Sequence, residues 1–217
     1  MADGTAGEDR LTIIIWVEGD SDKAALDELL PRFGGQWGQK GVRLDVKVAG
    51  GRTKLLRDIG EYAARDFKDG AAYVFALADV HAEDRDAEDV RTRLRAAVHA
   101  VVEDPGLRER FRPHAAVPEM ETWLLADPSA IAKATNARRR RIVVPPNPER
   151  LKPGQAEREL DRLLKRLRRR NRGYRKTADA RGIASYAKPD TIAKKCRYFR
   201  ELVEDLARCA GIGEAES

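Results

Sequence analysis

The sequence has few cysteines and no long apolar run. Its two cysteines, Cys196 and Cys209, have no third or fourth partner, which argues against a disulfide framework or a zinc knuckle. No stretch approaches the roughly 18 consecutive apolar residues that a membrane-spanning helix needs. The opening residues, MADGTAGEDR, also lack the basic and then apolar layout of a signal peptide. We therefore expect a cytoplasmic protein.

Charge is distributed unevenly along the 217 residues. The segment from Arg138 to Arg200 holds 22 Lys and Arg against 6 Asp and Glu, whereas the remainder holds 20 against 30. A basic region of this kind indicates a charged partner, and nucleic acid is the commonest such partner. A solvated basic helix face would give the same composition. The chain is long enough to bury a sizeable core.

The first part of the chain alternates predicted strands and helices. Buried or alternating apolar residues predict four strands, with the sequences LTIIIWV, VRLDVKVAG, AAYVFALAD and RPHAAVP. Apolar residues at helical spacing predict helices in DSDKAALDELLPRF, TKLLRDIGEYAARDF and AEDVRTRLRAAVHAVVED. This alternation predicts an α/β fold with a doubly wound, mainly parallel sheet and helices on both faces.

The chain is predicted to have three parts. We expect an α/β domain over residues 1–137, an Arg/Pro-rich linker over 138–154, and a basic helical extension over 155–217 that packs on the same domain. In the extension, QAERELDRLLKRLRRR and PDTIAKKCRYFRELVEDLARCAG each predict one amphipathic helix. The segment between them, NRGYRKTADARGIASYAK, predicts a basic loop.

Carboxylates follow several of the predicted strands. Glu18 ends the first strand, Asp79 ends the third, and Glu119 and Glu121 follow the fourth. Ligands of open parallel sheets bind outside the carboxyl ends of the strands. Grouped carboxylates repel one another unless a cation lies among them, and hard divalent cations favour oxygen ligands. Each of these acids except Glu18 would alone fit a helix cap or turn, but together they predict a metal site at this edge.

The motifs carrying these acids resemble a known superfamily. The segments VEGDSD and VPEMETWLLAD, with an apolar strand ending in Asp79 between them, resemble the Toprim fold of topoisomerases, primases and overcoming-lysogenization-defect (OLD) nucleases. They are most similar to a bacterial family of stand-alone Toprim-like proteins of unknown function, which have VEGxSD and PEMEaWLLAD motifs. GYRKT and KKCRYF match that family's C-terminal region. The resemblance covers nearly the whole chain.

The resemblance implies a catalytic metal centre. It gives Glu18 the role of general acid or base, and it implies Mg²⁺ or Mn²⁺ as the cofactor. Glu18, Asp79 and Glu121 would be ligands and catalytic residues. Asp22 and Glu119 would support these ligands from behind.

The chain departs from the superfamily at the second acidic ligand. His81 stands where the superfamily has the second Asp of Asp-x-Asp. Three explanations are open: His81 binds the metal, an acid among Glu83, Asp84 and Asp86 takes its place, or the site binds metal poorly. The sequence does not choose among them.

The basic extension is predicted to hold a nucleic-acid backbone. Lys176 is also a candidate catalytic residue, because it could stabilise charge that develops on a phosphate. The candidate phosphate contacts are Arg166, Arg168, Arg169, Arg170, Tyr174, Arg175, Lys176 and Lys188.

The sequence thus predicts a divalent-metal-dependent nuclease that hydrolyses DNA or RNA. The alternative is a catalytically inactive Toprim-like module that binds nucleic acid or protein. The resemblance further implies a role in anti-phage defence beside an ATPase partner. Whether the chain forms a homo-oligomer is left open.

Overall fold

The four predicted strands form one parallel sheet. The structure is a computed structural model that describes residues 10–33, 41–137, 142–168 and 172–212. The sheet order is β2–β1–β3–β4, and each neighbouring pair is parallel. The strands are β1 (Leu11–Val17), β2 (Val42–Val48), β3 (Tyr73–Asp79) and β4 (Phe111–Ala116). This sheet confirms the predicted fold class.

Helices cover both faces of the sheet. In chain order they are α1 (Asp20–Phe33), α2 (Arg52–Lys68), α3 (Ala87–His99), α4 (Pro105–Glu109), α5 (Glu121–Ala126), α6 (Pro128–Ala134), α7 (Gln155–Leu167), α8 (Lys176–Ala184), α9 (Pro189–Lys195) and α10 (Arg197–Cys209). A short 3-10 helix at Pro148–Arg150 precedes α7. Within the described ranges, no helix is both long enough and apolar enough to cross a membrane.

The side chains of β1 alternate between two separate cores. Ile13 and Ile15 belong to the core formed with α1, α5, α7, α8 and α10, whereas Ile14 and Trp16 belong to the core formed with α2 and α3. Successive side chains of a strand point to opposite faces, so a run that is apolar throughout is buried on both sides. Part of the predicted basic extension therefore covers one face of the sheet.

The predicted basic loop before residue 188 is wrong, because α8 lies within it. Ala180, Ile183 and Ala184 are buried, and α8 packs along α1. The buried side chain of Asp179 accepts hydrogen bonds from the Arg168 guanidinium, at 2.7 and 2.8 Å. The small apolar residues of this segment give only a weak helical pattern, which is why the sequence did not indicate the helix.

The single C-terminal helix that the sequence predicts is also wrong, because the chain breaks at Cys196. This residue is extended, with φ −116° and ψ 104°, and its side chain is buried between α9 and α10. The carboxylate of Glu149 accepts the main-chain N–H groups of Arg197 and Tyr198, each at 2.9 Å. A distant carboxylate thus caps α10, and sequence periodicity does not reveal such a cap.

The predicted division of the chain at residues 137 and 154 stays a prediction. Residues 138–141 of the predicted linker lie outside the described residues, as do Arg169 and Arg170.

Candidate functional site

Glu18 lies at the carboxyl end of β1, immediately before α1. Its side chain is 13% exposed, and its Oε1 accepts the main-chain N–H of Asp79 at 2.9 Å. The N–H of Gly19 donates to Oδ2 of Asp22 at 3.0 Å, which fixes the turn between the strand and the helix. The VEGDSD motif therefore places one carboxylate at the sheet edge and a second one behind it.

Asp79 lies beside Glu18 at the end of β3. Its Oδ1 accepts the main-chain N–H of Met120 at 3.1 Å, so the carboxylate also contacts the segment that leads into α5. The peptide bond between Val117 and Pro118, which lies in this segment, is cis. Main-chain N–H groups at the end of β3 and just before α5 therefore orient the two carboxylates.

His81 completes a group of three potential metal ligands. One ligand atom each from Glu18, Asp79 and His81 lie within 4.8 Å of one another. The His81 side chain is 44% exposed, and its Nδ1 lies 3.6 Å from the carboxylate of Glu83. Two carboxylates and one imidazole form a donor set that suits a first-row divalent cation such as Mn²⁺. The residues present therefore fit the predicted metal.

Burial and mutual repulsion raise the pKa values of the acids at this edge. Burial raises the pKa of Asp22 to about 6, with a further contribution from the nearby Glu18. Burial also raises the pKa of Glu18, and it raises that of Asp79 well above the usual range with help from the neighbouring carboxylates. Carboxylates that burial and mutual repulsion make hard to ionise are stabilised in the charged form by a bound cation.

Arg52 is a residue of this site that sequence reasoning missed. It begins α2, directly after the glycines that end β2, and its side chain is only 9% exposed. The guanidinium donates to the main-chain carbonyl of Asp79, lies 3.6 Å from Oε1 of Glu18 and binds the carboxylate of Asp84. Its position after the second strand, at the same sheet edge, was the available signal.

Glu121 lies on the opposite side of the cleft, at the start of α5. The residue is 5% exposed, and its Oε1 accepts the hydroxyl of Tyr174 at 3.2 Å. Burial raises the pKa of Glu121 to about 7. Burial and the adjacent carboxylate also raise the pKa of Tyr174, so its hydroxyl stays protonated and acts as the donor.

Glu119 links the cleft to the start of α7, because both of its carboxylate oxygens accept main-chain hydrogen bonds there. Its Oε2 accepts the N–H of Gly154 at 3.0 Å and its Oε1 accepts the N–H of Glu157 at 2.8 Å. A carboxylate at the N-terminus of a helix satisfies main-chain donors and interacts well with the helix dipole. Glu157 in turn forms an ion pair with Lys176 at 2.9 Å.

Two walls enclose the cleft, whose volume is about 710 Å³. The sheet wall consists of Glu18, Asp22, Asp79 and His81. The helical wall consists of Glu119, Glu121, Glu157, Tyr174 and Lys176. All of these except Tyr174 line the cleft, and Tyr174 reaches it through its bond to Glu121. Glu157 was not singled out from the sequence, because a Glu in the first turn of a basic helix has an ordinary structural role.

The predicted phosphate-binding residues do not form one uniform surface. The guanidinium groups of Arg168 and Arg175 bind the buried carboxylate of Asp179. Burial raises the pKa of Asp179, but the hydrogen bonds and charge of the two arginines outweigh it and lower the pKa to about 2. Arg166 and Lys188 are exposed, and Lys176 is half-exposed beside Glu157. Of the predicted residues that the structure describes, only Tyr174 and Lys176 therefore lie at the cleft.

The parallel sheet and its acidic carboxyl edge define an α/β protein of the Toprim-like class. The family described as domain of unknown function (DUF4276) matches residues 17–207, and the chain belongs to that family. No match is found among curated proteins.

Among solved structures, regions of two OLD proteins match this chain. The C-terminal region of the Burkholderia pseudomallei OLD protein has a TM-score of 0.50 and 17% sequence identity, over 88% of this chain and 98% of that one. The C-terminal region of the Xanthomonas campestris pv. campestris OLD protein has a TM-score of 0.43 and 14% identity, over 90% and 97%. The predicted relation to OLD proteins agrees with the first likeness at the level of the fold. The two sequence motifs stay part of the prediction.

Proposed function

We propose that this protein is a divalent-metal-dependent nuclease that hydrolyses phosphodiester bonds of DNA or RNA. The observation that carries the proposal is the group formed by Glu18, Asp79 and His81, whose ligand atoms lie within 4.8 Å at the carboxyl edge of a parallel sheet. The cleft around this group is large enough to admit part of a nucleic-acid backbone. The likeness of the fold to the OLD C-terminal region supports the same assignment.

Glu18, Asp79 and His81 would hold the first cation, and Glu121 would complete the set from the helical wall. A bound Mg²⁺ or Mn²⁺ supplies Lewis-acid stabilisation of a phosphate and lowers the pKa of water. Glu18 would move the proton, as the resemblance to the Toprim superfamily implies. Asp22, behind Glu18, would keep Gly19 and the turn in place.

Lys176 would stabilise charge on the phosphate from the other side of the cleft. Its ammonium lies 2.9 Å from Glu157, and it would have to leave this partner to reach a phosphate. Arg166, Lys188 and the remaining basic residues of the extension would hold the backbone without reading its sequence. A cytoplasmic location, a role in anti-phage defence and a partner ATPase complete the proposal, and these parts rest on the sequence resemblance.

The test is a cleavage assay with supercoiled plasmid and with tRNA as substrates. We expect cleavage with Mn²⁺, weaker cleavage with Mg²⁺, and none after a chelator is added. Asp79→Asn, purified in the same way, controls for contaminating nucleases and is expected to be inactive. Equal cleavage by Asp79→Asn would assign the activity to a contaminant and contradict the proposal.

One observation favours the alternative of an inactive binding module. The guanidinium of Arg52 lies 3.6 Å from Glu18, so a positive charge already stands beside the proposed ligands. Metal-independent binding of nucleic acid without cleavage would support the module. Mn²⁺ binding to the cleft, measured by calorimetry and lost in Asp79→Asn, would contradict it.

A further inference from the structure

Asp84 forms a buried ionic centre behind the proposed metal ligands. Its side chain is 0% exposed. Its Oδ1 accepts hydrogen bonds from Arg52 at 2.6 Å and from Arg93 at 2.8 Å, and its Oδ2 accepts the main-chain N–H of His81 at 2.7 Å. Two guanidinium groups and one main-chain N–H thus hold this buried carboxylate in place.

Arg52 connects this carboxylate to the other two proposed ligands. It donates to the main-chain carbonyl of Asp79 and lies 3.6 Å from the side chain of Glu18. The Arg52–Asp84 pair therefore contacts all three members of the proposed metal group. The pair contacts the side-chain carboxylate of Glu18, the main-chain carbonyl of Asp79 and the main-chain N–H of His81.

His81 depends on this pair more than the other two ligands do. Glu18 and Asp79 end β1 and β3 and are oriented by main-chain N–H groups of neighbouring segments. The His81 side chain, in contrast, is 44% exposed and lies on a loop beyond the sheet. The bond from its N–H to Asp84 ties its main chain to the buried part of the site. Without that bond the main chain at His81 would lose its link to the buried part of the site, and only the contact with the exposed Glu83 side chain would remain near the imidazole.

We infer that the Arg52–Asp84 pair is a positioning device that holds His81 in place as the nitrogen ligand of the metal centre. This inference rests on the proposed function, since it concerns the same site. Partners that orient a metal ligand from behind typically change metal affinity by about 10- to 100-fold when they are removed. The pair would thereby decide whether the bound ion has an imidazole ligand or oxygen ligands alone.

The direct test is pulsed electron paramagnetic resonance of Mn²⁺ bound to the full chain. Spin-echo modulation from nitrogen reports an imidazole ligand on Mn²⁺. We expect this modulation in the wild type, its loss in His81→Ala, and its loss in Asp84→Asn while Mn²⁺ still binds. The amide has one acceptor oxygen where the carboxylate uses both, so its NH₂ group would face either the arginines or the His81 N–H. Nitrogen modulation that persists in Asp84→Asn, or that is missing from the wild type, would overturn the inference.

Asp66→Asn is the matched control. Asp66 is also a buried carboxylate, and it accepts hydrogen bonds from Trp16 and Lys47, each at 2.7 Å, away from the cleft. Its replacement should destabilise the fold to a similar degree but leave the nitrogen modulation intact. Loss of modulation in this control would show that general loosening, and not the pair, is responsible.

A second variant covers the case in which Asp84→Asn does not fold. Arg52→Lys keeps the positive charge but lacks the planar fork, so one ammonium has to serve Asp84 and the Asp79 carbonyl. We expect the same loss of nitrogen modulation and a Mn²⁺ affinity that is about 10-fold weaker. Wild-type modulation in folded Arg52→Lys would count against the inference.

Calorimetry gives an independent measure of the coupling. His81→Ala should weaken Mn²⁺ binding by about 10-fold in the wild-type background and by less than about twofold in the Asp84→Asn background. Equal losses in both backgrounds would overturn the inference even if the wild type cleaves nucleic acid with Mn²⁺. Absence of Mn²⁺ binding to the wild type would instead contradict the proposed function, so the two failures are distinguishable.

Discussion

The two walls of the cleft are held in different ways. In the sheet wall, Glu18 and Asp79 end neighbouring parallel strands, and the N–H of one residue binds the carboxylate of the other. In the helical wall, Glu121 binds Tyr174 from 53 positions further along the chain, and Glu119 binds main-chain groups 35 and 38 positions away. Under the proposed function, the sheet wall would hold the cation and move the proton, and the helical wall would add Glu121 and Lys176 to the same site.

The largest expected effect comes from the sheet wall. Glu18→Gln keeps the shape of the side chain and can still accept the Asp79 N–H, but it removes the charge and the transferable proton. General acid–base groups contribute about 10²- to 10⁴-fold in rate, so cleavage should fall by that factor while nucleic-acid binding persists. Glu61→Gln, on the exposed surface of α2, is the matched control. Cleavage at the wild-type rate by pure Glu18→Gln would contradict the catalytic role.

The next effect comes from the helical wall and concerns stability. The pKa of Glu121 is raised by burial from 4.5 to about 7, so the folded protein binds this proton more tightly than the unfolded chain. The resulting stabilisation is present below pH 4.5 and is lost as the pH rises to about 7. A raised pKa of this size corresponds to about 3 kcal/mol in the free energy of unfolding.

Urea unfolding at pH 4.5 and pH 7.5, with a chelator present, measures this change. Glu121→Gln should show a smaller loss of stability over the same interval, although Asp22, Glu18 and Asp79 still contribute with the same sign. Added Mn²⁺ should restore stability at pH 7.5. An identical pH dependence in wild type and Glu121→Gln would show that Glu121 ionises normally.

A smaller effect tests how the helical wall adjusts the site. Tyr174→Phe removes the hydroxyl that donates to Glu121 at 3.2 Å. A hydrogen bond of this kind contributes roughly 0.5–1.5 kcal/mol, so cleavage at pH 7 should fall by about two- to tenfold. Loss of this donor disfavours the ionised carboxylate, so the pH at which cleavage is half-maximal should rise. Tyr186→Phe, at an exposed position, is the control. If the pH profile of cleavage by Tyr174→Phe matches that of the wild type, the hydroxyl of Tyr174 does not affect the ionisation of Glu121.

The smallest effect concerns the basic surface outside both walls. If Arg166 and Lys188 contact phosphates, replacing either with Gln should flatten the log–log dependence of affinity on salt by about 0.7 to 0.9. Arg168→Gln should act differently, because it leaves the buried carboxylate of Asp179 without its main partner. We expect Arg168→Gln to lower the unfolding temperature. The salt dependence of its affinity should change only as far as the protein is unfolded. Filter binding between 50 and 200 mM salt, with thermal unfolding alongside, separates the two cases.

The sheet and the sheet wall could be predicted because their signals are local. The strand LTIIIWV is apolar except for Thr12, as expected for burial on both faces, and Glu18 follows it directly. Parallel strands end at a common edge, so the topology alone brings Asp79 near Glu18. His81 follows two residues later and is therefore close to the same edge.

The supporting contacts could not be predicted, because they join segments that are far apart in the chain. Arg52 and Asp84 are 32 positions apart, and nothing in either local sequence indicates their ion pair. The sequence predicts that Arg168 and Arg175 contact phosphates, but in the structure both bind the carboxylate of Asp179. The interruption at Cys196 similarly depends on Glu149, a residue from the predicted linker. Charge patterns locate basic residues but do not show which acids already bind them.

The packing of α8 along α1 has a consequence for the time course of synthesis. Arg32, at the end of α1, donates to the main-chain carbonyl of Ser185, which comes 153 positions later. Leu26 and Leu29 of α1 share a core with Ile183 of α8. At a translation rate of about 5–20 residues per second, α8 is made roughly 10 to 30 seconds after α1. Until α8 has been made, the part of the α1 surface that packs against Ile183 therefore lacks its native cover.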